Sequence, residues 1–236
     1  MFVLYEQGVY YVRDLWKAVK RKNVGKVQEI LDTGVSPNSK LRGGGSYPIF
    51  VFLKDPRLIQ VFIGAGVNVN IGDNYGWTIL HYLSRAKGDN RKAMSTVIEN
   101  GGNVNIRDHY NNTPLHHAVE FNRLDNVKFL IDNEARLDIG ENGKKVRFGE
   151  YRSVLHTAVK EDNTEIAAFL IKSGSNPYCR DSSGIRPVCY ARSKGMIDVF
   201  TKADYSFTNK DIKQLESHGD SSLVSYIKPP SEESKE

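Results

Sequence analysis

The chain has 236 residues, of which 39% are hydrophobic and 26% charged, and its formal net charge is +5. This composition is typical of a folded chain with its own core, and it excludes a fibrous or low-complexity protein. Two cysteines are too few for a disulfide-built secreted scaffold, and no stretch approaches the length of a membrane span. The mild positive charge permits an acidic partner without requiring nucleic acid. We therefore expect a cytoplasmic or nuclear protein.

A short apolar segment, residues 2–12, opens the chain and is divided by Gln7 and Gly8 into two runs. It predicts a small hairpin or an extended piece that caps the apolar end of the fold. The alternative is a strand that pairs with a partner. The segment lacks the basic lead and the uninterrupted apolar run of a signal peptide. We expect residues 1–12 to be a cap.

The basic residues near the N-terminus follow a pattern that predicts two helices joined by a turn. Most of them should face solvent, so the simplest interpretation is a solvated face. An acidic protein or a phosphate surface is the alternative, and nucleic acid is less favoured because no stacking aromatics accompany the cluster. This basic cluster consists of Arg13, Lys17, Lys20, Arg21, Lys22 and Lys26.

One motif then recurs along most of the chain. Its fullest copy, DHYNNTPLHHA, starts at Asp108, and DNYGWTILHYL starts at Asp73. SVLHTA starts at Ser153, DSSGIRPVCYA starts at Asp181, and the weaker copies YPIFVF and LWKAV lie nearer the N-terminus. The aligned apolar positions, spaced 31 to 40 residues apart, are Leu15, Ile49, Leu80, Leu115, Leu155 and Val188.

The motif resembles that of the ankyrin repeat family, in which a turn, Thr-Pro-Leu-His-x-Ala and two helices recur about every 33 residues. The resemblance covers roughly residues 13–203. It implies an all-α fold, an ankyrin-repeat solenoid of about six stacked helix-turn-helix repeats with hairpin fingers, some irregular. The expected segments are a cap over 1–12, repeats over 13–40, 41–72, 73–107, 108–137, 138–180 and 181–203, a capping helix in 204–227 and a disordered tail over 228–236.

The local sequence supports this assignment. In the fullest copy, Pro114 fits the first turn of a helix, where its missing N–H costs nothing, and Thr113 can cap that helix. Leu115 and Ala118 lie on one helical face and predict inward packing. The glycines that follow the second helices suit left-handed helix ends; they are Gly34, Gly66, Gly101 and Gly174.

Two repeats depart from the pattern. The copy around Ile49 is short, and its Asp55–Pro56 pair predicts a helix boundary. Residues 138–152, DIGENGKKVRFGEYR, replace the usual turn with a longer, basic loop punctuated by glycines. This insertion is either part of a binding face or a tolerated addition without a role.

No pattern of catalytic or metal-ligating residues stands out. His81, His116 and His156 share one motif position, and the resemblance implies that this histidine holds neighbouring turns together by hydrogen bonds. His116 and His117 face apart on a helix and make a poor metal pair. The two cysteines lack a second pair or a histidine at ligand spacing for zinc. We therefore expect no metal, no cofactor, no catalytic residue and no enzymatic activity.

The resemblance also implies that a partner meets the finger turns and the first helices along a groove. Some of these positions carry large aromatic side chains that the fold itself does not need. Such residues often dominate the binding energy of an interface, so they are candidates for the binding site. The alternative is that Tyr75 and Trp77 pack across adjacent fingers. The candidate partner-binding residues are Tyr75, Trp77, Arg85, His109, Tyr110, Asn112, Phe121, Lys160 and Glu161, with Arg147 in the insertion.

These features predict a non-catalytic scaffold that binds a target protein through the groove and the fingers. It would act as an adaptor, an inhibitor, or an effector that an intracellular bacterium or virus delivers into the host cytosol. The C-terminal SEESKE is similar to the Glu-rich tails of type IV secretion substrates. A nucleic-acid or acidic-surface binder that uses the basic N-terminal repeat is the alternative, and an enzyme built on residues 138–152 is a weaker one.

Overall fold

The computed structural model describes residues 2–40, 55–138 and 152–227. These residues form helices and turns, with no strand among them. Two compact units divide the chain, Met1–His117 and Ala118–Glu236. Within the described ranges, no helix is both long enough and apolar enough to cross a membrane.

The first unit is built from paired helices. Helix α1 (Phe2–Lys20) packs against α2 (Val24–Asp32), and α3 (Pro56–Gly64) contacts α2. Helix α4 (Ile79–Arg85) pairs with α5 (Arg91–Glu99), and α5 also contacts α3. The chain continues into α6 (Pro114–Glu120). The buried core of this unit includes Leu15, Val27, Leu58, Phe62, Leu80, Leu83, Met94 and Leu115.

The second unit continues with α7 (Leu124–Asp132), α8 (Val154–Lys160) and α9 (Thr164–Lys172), of which α8 and α9 form a pair. In the final repeat, the first helix is reduced to a 3-10 turn, Pro187–Tyr190, and the second is α10 (Lys194–Lys202).

The C-terminal part of the second unit covers the last repeat. Helix α11 (Asn209–His218) packs on the Pro187–Tyr190 turn, and a 3-10 helix, Ser221–Tyr226, packs on α10 and α11. Leu215, Leu223 and Ile227 are buried in this contact. Apolar side chains thus shield the end of the second unit from solvent, as a terminal repeat requires.

The helix boundaries predicted from the sequence lie at the expected residues. Helix α3 starts at Pro56, and the Asp55 carboxylate accepts the N–H of Arg57 at 3.0 Å. Ser153, which was not predicted as a cap, also caps α8, because its hydroxyl lies 3.4 Å from the N–H of His156. The four glycines predicted to end helices all have positive φ, at +88°, +77°, +85° and +97°.

The hairpin or extended piece predicted for residues 2–12 is wrong, because α1 begins at Phe2 and runs unbroken to Lys20. The strand preference of the valines and tyrosines is a weak local bias. It is overridden because the same residues continue the helix that carries the buried Leu15 and Val19. A glycine inside a helix costs only about 1 kcal/mol, so Gly8 does not stop it.

Three other predictions lie outside the described residues. They concern the first helix around Ile49, most of the 138–152 insertion, and the tail from residue 228 onward.

Asparagine side chains join successive repeats of the first unit. Asn38 accepts the backbone N–H of Asn68 at 2.9 Å, and Asn70 accepts that of Asn103 at 2.8 Å. Asn70 also donates to the carbonyl of Gly101 at 2.8 Å. The loops after the second helices are therefore tied to one another, and these ties fix the spacing of the repeats that carry the fingers.

Candidate partner-binding site

Each finger is a tight turn organised by its leading aspartate. Oδ1 of Asp73 accepts the backbone N–H groups of Tyr75 at 2.8 Å and of Trp77 at 3.0 Å. Asp108 does the same for Tyr110 and Asn112, both at 2.9 Å. Because the carboxylate satisfies the backbone of the turn, the side chains at its tip are not needed for that task.

Neighbouring fingers of the first unit lie side by side. The N–H of His109 donates to the carbonyl of Tyr75 at 2.9 Å. This approach depends on Gly76, which has φ of +78° and on which a Cβ would lie 2.8 Å from Cδ2 of His109. Only a residue without a side chain fits both the conformation and the space.

Tyr75 and Tyr110 are the exposed aromatics of these two fingers, with 56% and 45% of their surface accessible. His109 and Asn112 are half-buried. The predicted finger residues thus occupy one continuous stretch of surface, with two tyrosine rings open to solvent.

Trp77 is not an open side chain. Its ring lies 5.9 Å from Tyr75, 5.4 Å from Tyr82 and 4.8 Å from His117, measured between centroids. The guanidinium of Arg85 stacks over it at 4.7 Å. Its Nε1 is buried and has no hydrogen-bond partner in the described part of the chain. The indole is therefore packed within the finger, and the guanidinium of Arg85 lies on its ring.

The remaining candidates belong to the second unit or lie outside the described residues. Phe121 and Lys160 are half-buried and Glu161 is exposed, and all three belong to the second unit. Arg147 lies outside the described residues. The structure therefore brings together the candidates of the first unit: Tyr75, Trp77, Arg85, His109, Tyr110 and Asn112. We call this set the finger patch.

Two of the motif histidines, His81 and His156, bond to neighbouring turns, as expected. Nδ1 of His81 accepts the N–H of Thr78 at 3.0 Å, and its Nε2 lies 3.2 Å from the carbonyl oxygen of Asn112 in the next finger. His156 repeats the arrangement, with Nε2 at 3.0 Å from the carbonyl oxygen of Ile185. Burial lowers the pKa of His81 to about 3, so its ring stays neutral.

A second aspartate contact recurs that the sequence reasoning missed. Oδ2 of the finger aspartate bonds to the side chain nine residues further on, at the second turn of the first helix. Tyr82 donates to Asp73 at 2.6 Å and Tyr190 donates to Asp181 at 2.7 Å. In the middle copy His117 takes this place, with Nε2 at 3.0 Å from Asp108. The constant nine-residue interval was the available signal.

His117 also meets the preceding repeat. The rings of His81 and His117 lie edge to face, with centroids 5.2 Å apart. One ligand atom of each of His81, Asp108 and His117 falls within 4.8 Å of the other two, and all three residues are buried. Burial is the largest influence on Asp108 and works to raise its pKa, but the hydrogen bonds from His117 and from the N–H of Asn112, with the electrostatic influence of the neighbouring histidines, together outweigh it, so the pKa is lowered and the carboxylate is ionised.

The basic cluster is exposed throughout, as the solvated-face interpretation requires. Lys17 lies 3.3 Å from Asp14, and Lys26 lies 2.7 Å from Glu29. These four residues and Arg21 are among those that line a cavity of about 220 Å³ between α1 and α2. Two of the cations thus have acidic neighbours, which weakens the field that an anionic partner would meet.

Comparison with known proteins supports the repeat assignment. A model of ankyrin repeats in three copies matches residues 49–141, and a single ankyrin repeat model matches residues 150–182. Together they cover just over half of the chain. Ankyrin repeats indicate a protein-interaction module.

The chain is also similar to a much larger bacterial protein, the phosphocholine transferase AnkX of Legionella pneumophila. The two are 26% identical over 162 residues, which is 67% of this chain but only 16% of the relative. The repeat spacing, the aspartate-led turns, the paired helices and the matching family models agree, and the chain belongs to the ankyrin repeat family.

Proposed function

We propose that the chain is a non-catalytic scaffold that captures a target protein on the finger patch, as an adaptor, an inhibitor or a host-directed effector. The observation that carries the proposal is the pair of exposed tyrosines, Tyr75 and Tyr110, on adjacent fingers. Tyrosine and arginine are enriched among residues that dominate binding energy, and Arg85 is stacked close by on Trp77.

The rigidity of the patch supports the same role. The turn backbones are satisfied by Asp73 and Asp108, and a direct hydrogen bond joins the two fingers. A surface that is ordered before binding loses less conformational entropy when a partner arrives.

The test is capture of proteins from cell lysate with the tagged full chain, followed by mass spectrometry. The double variant Tyr75→Ala/Tyr110→Ala should lose a partner that the wild type retains, while its thermal unfolding stays within a few degrees. Tyr226→Ala is the matched control, because Tyr226 is 51% exposed but belongs to the second unit. Equal recovery with the double variant would contradict the finger patch as the binding surface.

A second candidate function is binding of an acidic surface or nucleic acid by the basic cluster, favoured by the exposure of all its cations. Such binding should weaken steeply as salt rises, because counterions are released on association. Capture through the finger patch should depend far less on salt. The third possibility, an enzyme built on residues 138–152, rests on residues that lie almost entirely outside the described ranges.

The host-directed form of the proposal has its own support and its own test. The similarity to a Legionella pneumophila protein accords with a bacterial protein of this kind, although the transferase activity is that relative's alone. A translocation reporter fused to the N-terminus of the full chain should appear in the cytosol of infected cells. A fusion that stays inside the bacterium would contradict this form and leave the scaffold function standing.

A further inference from the structure

A buried cluster of His81, Asp108 and His117 lies in the first unit, at the junction of two repeats. His81 comes from α4, Asp108 leads the next finger, and His117 comes from α6. Their ligand atoms all lie within 4.8 Å of one another, and each residue is at most 6% exposed. The repeat motif accounts for His81 and Asp108, but it does not account for a histidine at position 117, where the other repeats have tyrosine.

The identity of residue 117 is the informative departure. Tyrosine bonds the finger aspartate at the equivalent positions, through Tyr82 and Tyr190, and satisfies the same structural need. Histidine at this place adds a ring nitrogen that can coordinate a metal, next to the motif histidine of the preceding repeat.

From these contacts we propose that His81, Asp108 and His117 form a binding site for a divalent transition metal, with zinc as the preferred ion. Zinc is commonly held by imidazole and carboxylate ligands at about 2.0–2.2 Å, and three protein ligands leave a fourth position for water or for the nearby carbonyl oxygen of Asn112.

The geometry needs only a modest adjustment to close around the ion. Nε2 of His117 and Oδ2 of Asp108 are already 3.0 Å apart, close to the spacing of about 3.4 Å between ligands of a tetrahedral zinc site. The widest separation in the cluster, up to 4.8 Å, must shorten by about 1.4 Å. Closing around the ion would therefore require rotation of the two rings or of the carboxylate.

For His81 the structure shows an acceptor for the proton that metal binding would move. Nε2 of each histidine must give up its proton to coordinate the ion, and Nδ1 must then carry one. For His81 the new Nδ1–H points at the hydroxyl of Thr78, 3.0 Å away, which can accept it. Binding therefore exchanges the bond from the Thr78 N–H for one to the Thr78 hydroxyl. Such contacts orient metal-bound imidazoles in general.

The test uses the full chain without a histidine tag, stripped with a chelator and titrated with Co²⁺. Wild-type protein should bind one equivalent, with the visible absorption of tetrahedral cobalt, and Zn²⁺ should displace it. Zn²⁺ should also raise the melting temperature, because a ligand of the native state alone stabilises it.

Two variants make the assignment specific. His117→Tyr restores the tyrosine of the other repeats, so the helix content should stay unchanged while affinity for Zn²⁺ falls at least 100-fold. Asp108→Asn keeps an oxygen for the finger N–H groups but removes the charged ligand, and it should weaken binding as well. His218→Gln, at an exposed histidine of the second unit, is the control and should bind as the wild type does.

The possible results separate cleanly. Absence of a one-to-one cobalt complex in the wild type would overturn the site. Wild-type affinity in folded His117→Tyr protein would also overturn it, because the ion would then bind elsewhere. Loss of binding in His117→Tyr and Asp108→Asn, but not in His218→Gln, would establish it.

Discussion

Trp77 is packed within the finger whereas Tyr75 is exposed, so replacing each with alanine should affect protein stability differently. Trp77→Ala should destabilise the protein by about 2–3 kcal/mol. A fully buried Trp or Phe replaced by Ala costs about 3–5 kcal/mol, and Trp77 is half-buried. The variant also loses the ring contacts with Tyr82, His117 and Arg85. The expected loss of stability is therefore larger than half of the value for a fully buried side chain. Tyr75→Ala, at a 56% exposed side chain, should cost less than about 0.5 kcal/mol.

Urea unfolding followed by circular dichroism measures both variants beside the wild type. The transition midpoints should separate clearly for Trp77→Ala and hardly at all for Tyr75→Ala, with the slopes unchanged. A slope change would indicate that the two units unfold independently, and the amplitude of the first unit would then be fitted separately. If Trp77→Ala is as stable as Tyr75→Ala, the indole does not support the finger, and the packing argument is refuted.

Three further changes test other parts of the same reasoning. Leu115→Ala truncates a fully buried side chain and should lower the free energy of unfolding by about 2–5 kcal/mol in the same urea assay. A decrease of less than about 0.5 kcal/mol would contradict the assigned repeat register. Gly76→Ala should destabilise by at least about 1 kcal/mol, because it introduces a Cβ at positive φ and against His109; an unchanged midpoint would contradict the close finger contact. Burial lowers the pKa of His156 in the native state. As pH falls below about 6.5, His156 therefore becomes protonated in the unfolded state while it stays neutral in the native state. His156 should then contribute a decline in stability of up to about 1.4 kcal/mol per pH unit, in addition to that of His81, and His156→Gln should make the slope shallower by this share.

The repeat architecture was predictable because each repeat carries its own sequence signals for helix position and helix ends. Six apolar positions recur at near-constant intervals, and glycines and capping residues mark the helix ends. Agreement between local propensity and long-range periodicity makes such an assignment strong. At the N-terminus no periodic neighbour was available. There the β preference of residues 2–12 led to a hairpin where α1 continues as a helix.

The candidate site was predictable only in part. Which finger positions exist follows from the motif, and Tyr75 and Tyr110 are exposed there. Whether an aromatic at such a position faces solvent depends on contacts between repeats, and these made Trp77 a packed residue. The cluster around His117 was missed for a related reason. Adjacency of His116 and His117 argued against a metal pair, but the ring that meets His117 is His81, 36 residues earlier.

The aspartates explain how a fixed scaffold can carry a variable surface. Each one uses Oδ1 to hold the finger backbone and Oδ2 to hold the first helix nine residues later, so a single carboxylate sets the angle between finger and helix. Finger positions whose side chains take no part in these bonds or in the core are then free to differ from repeat to repeat. Tyr75 and Tyr110 occupy such free positions, whereas residue 117 does not, because it must bond Asp108. A substitution at a constrained position needs a reason beyond surface variation, and for His117 the reason that the geometry offers is metal coordination.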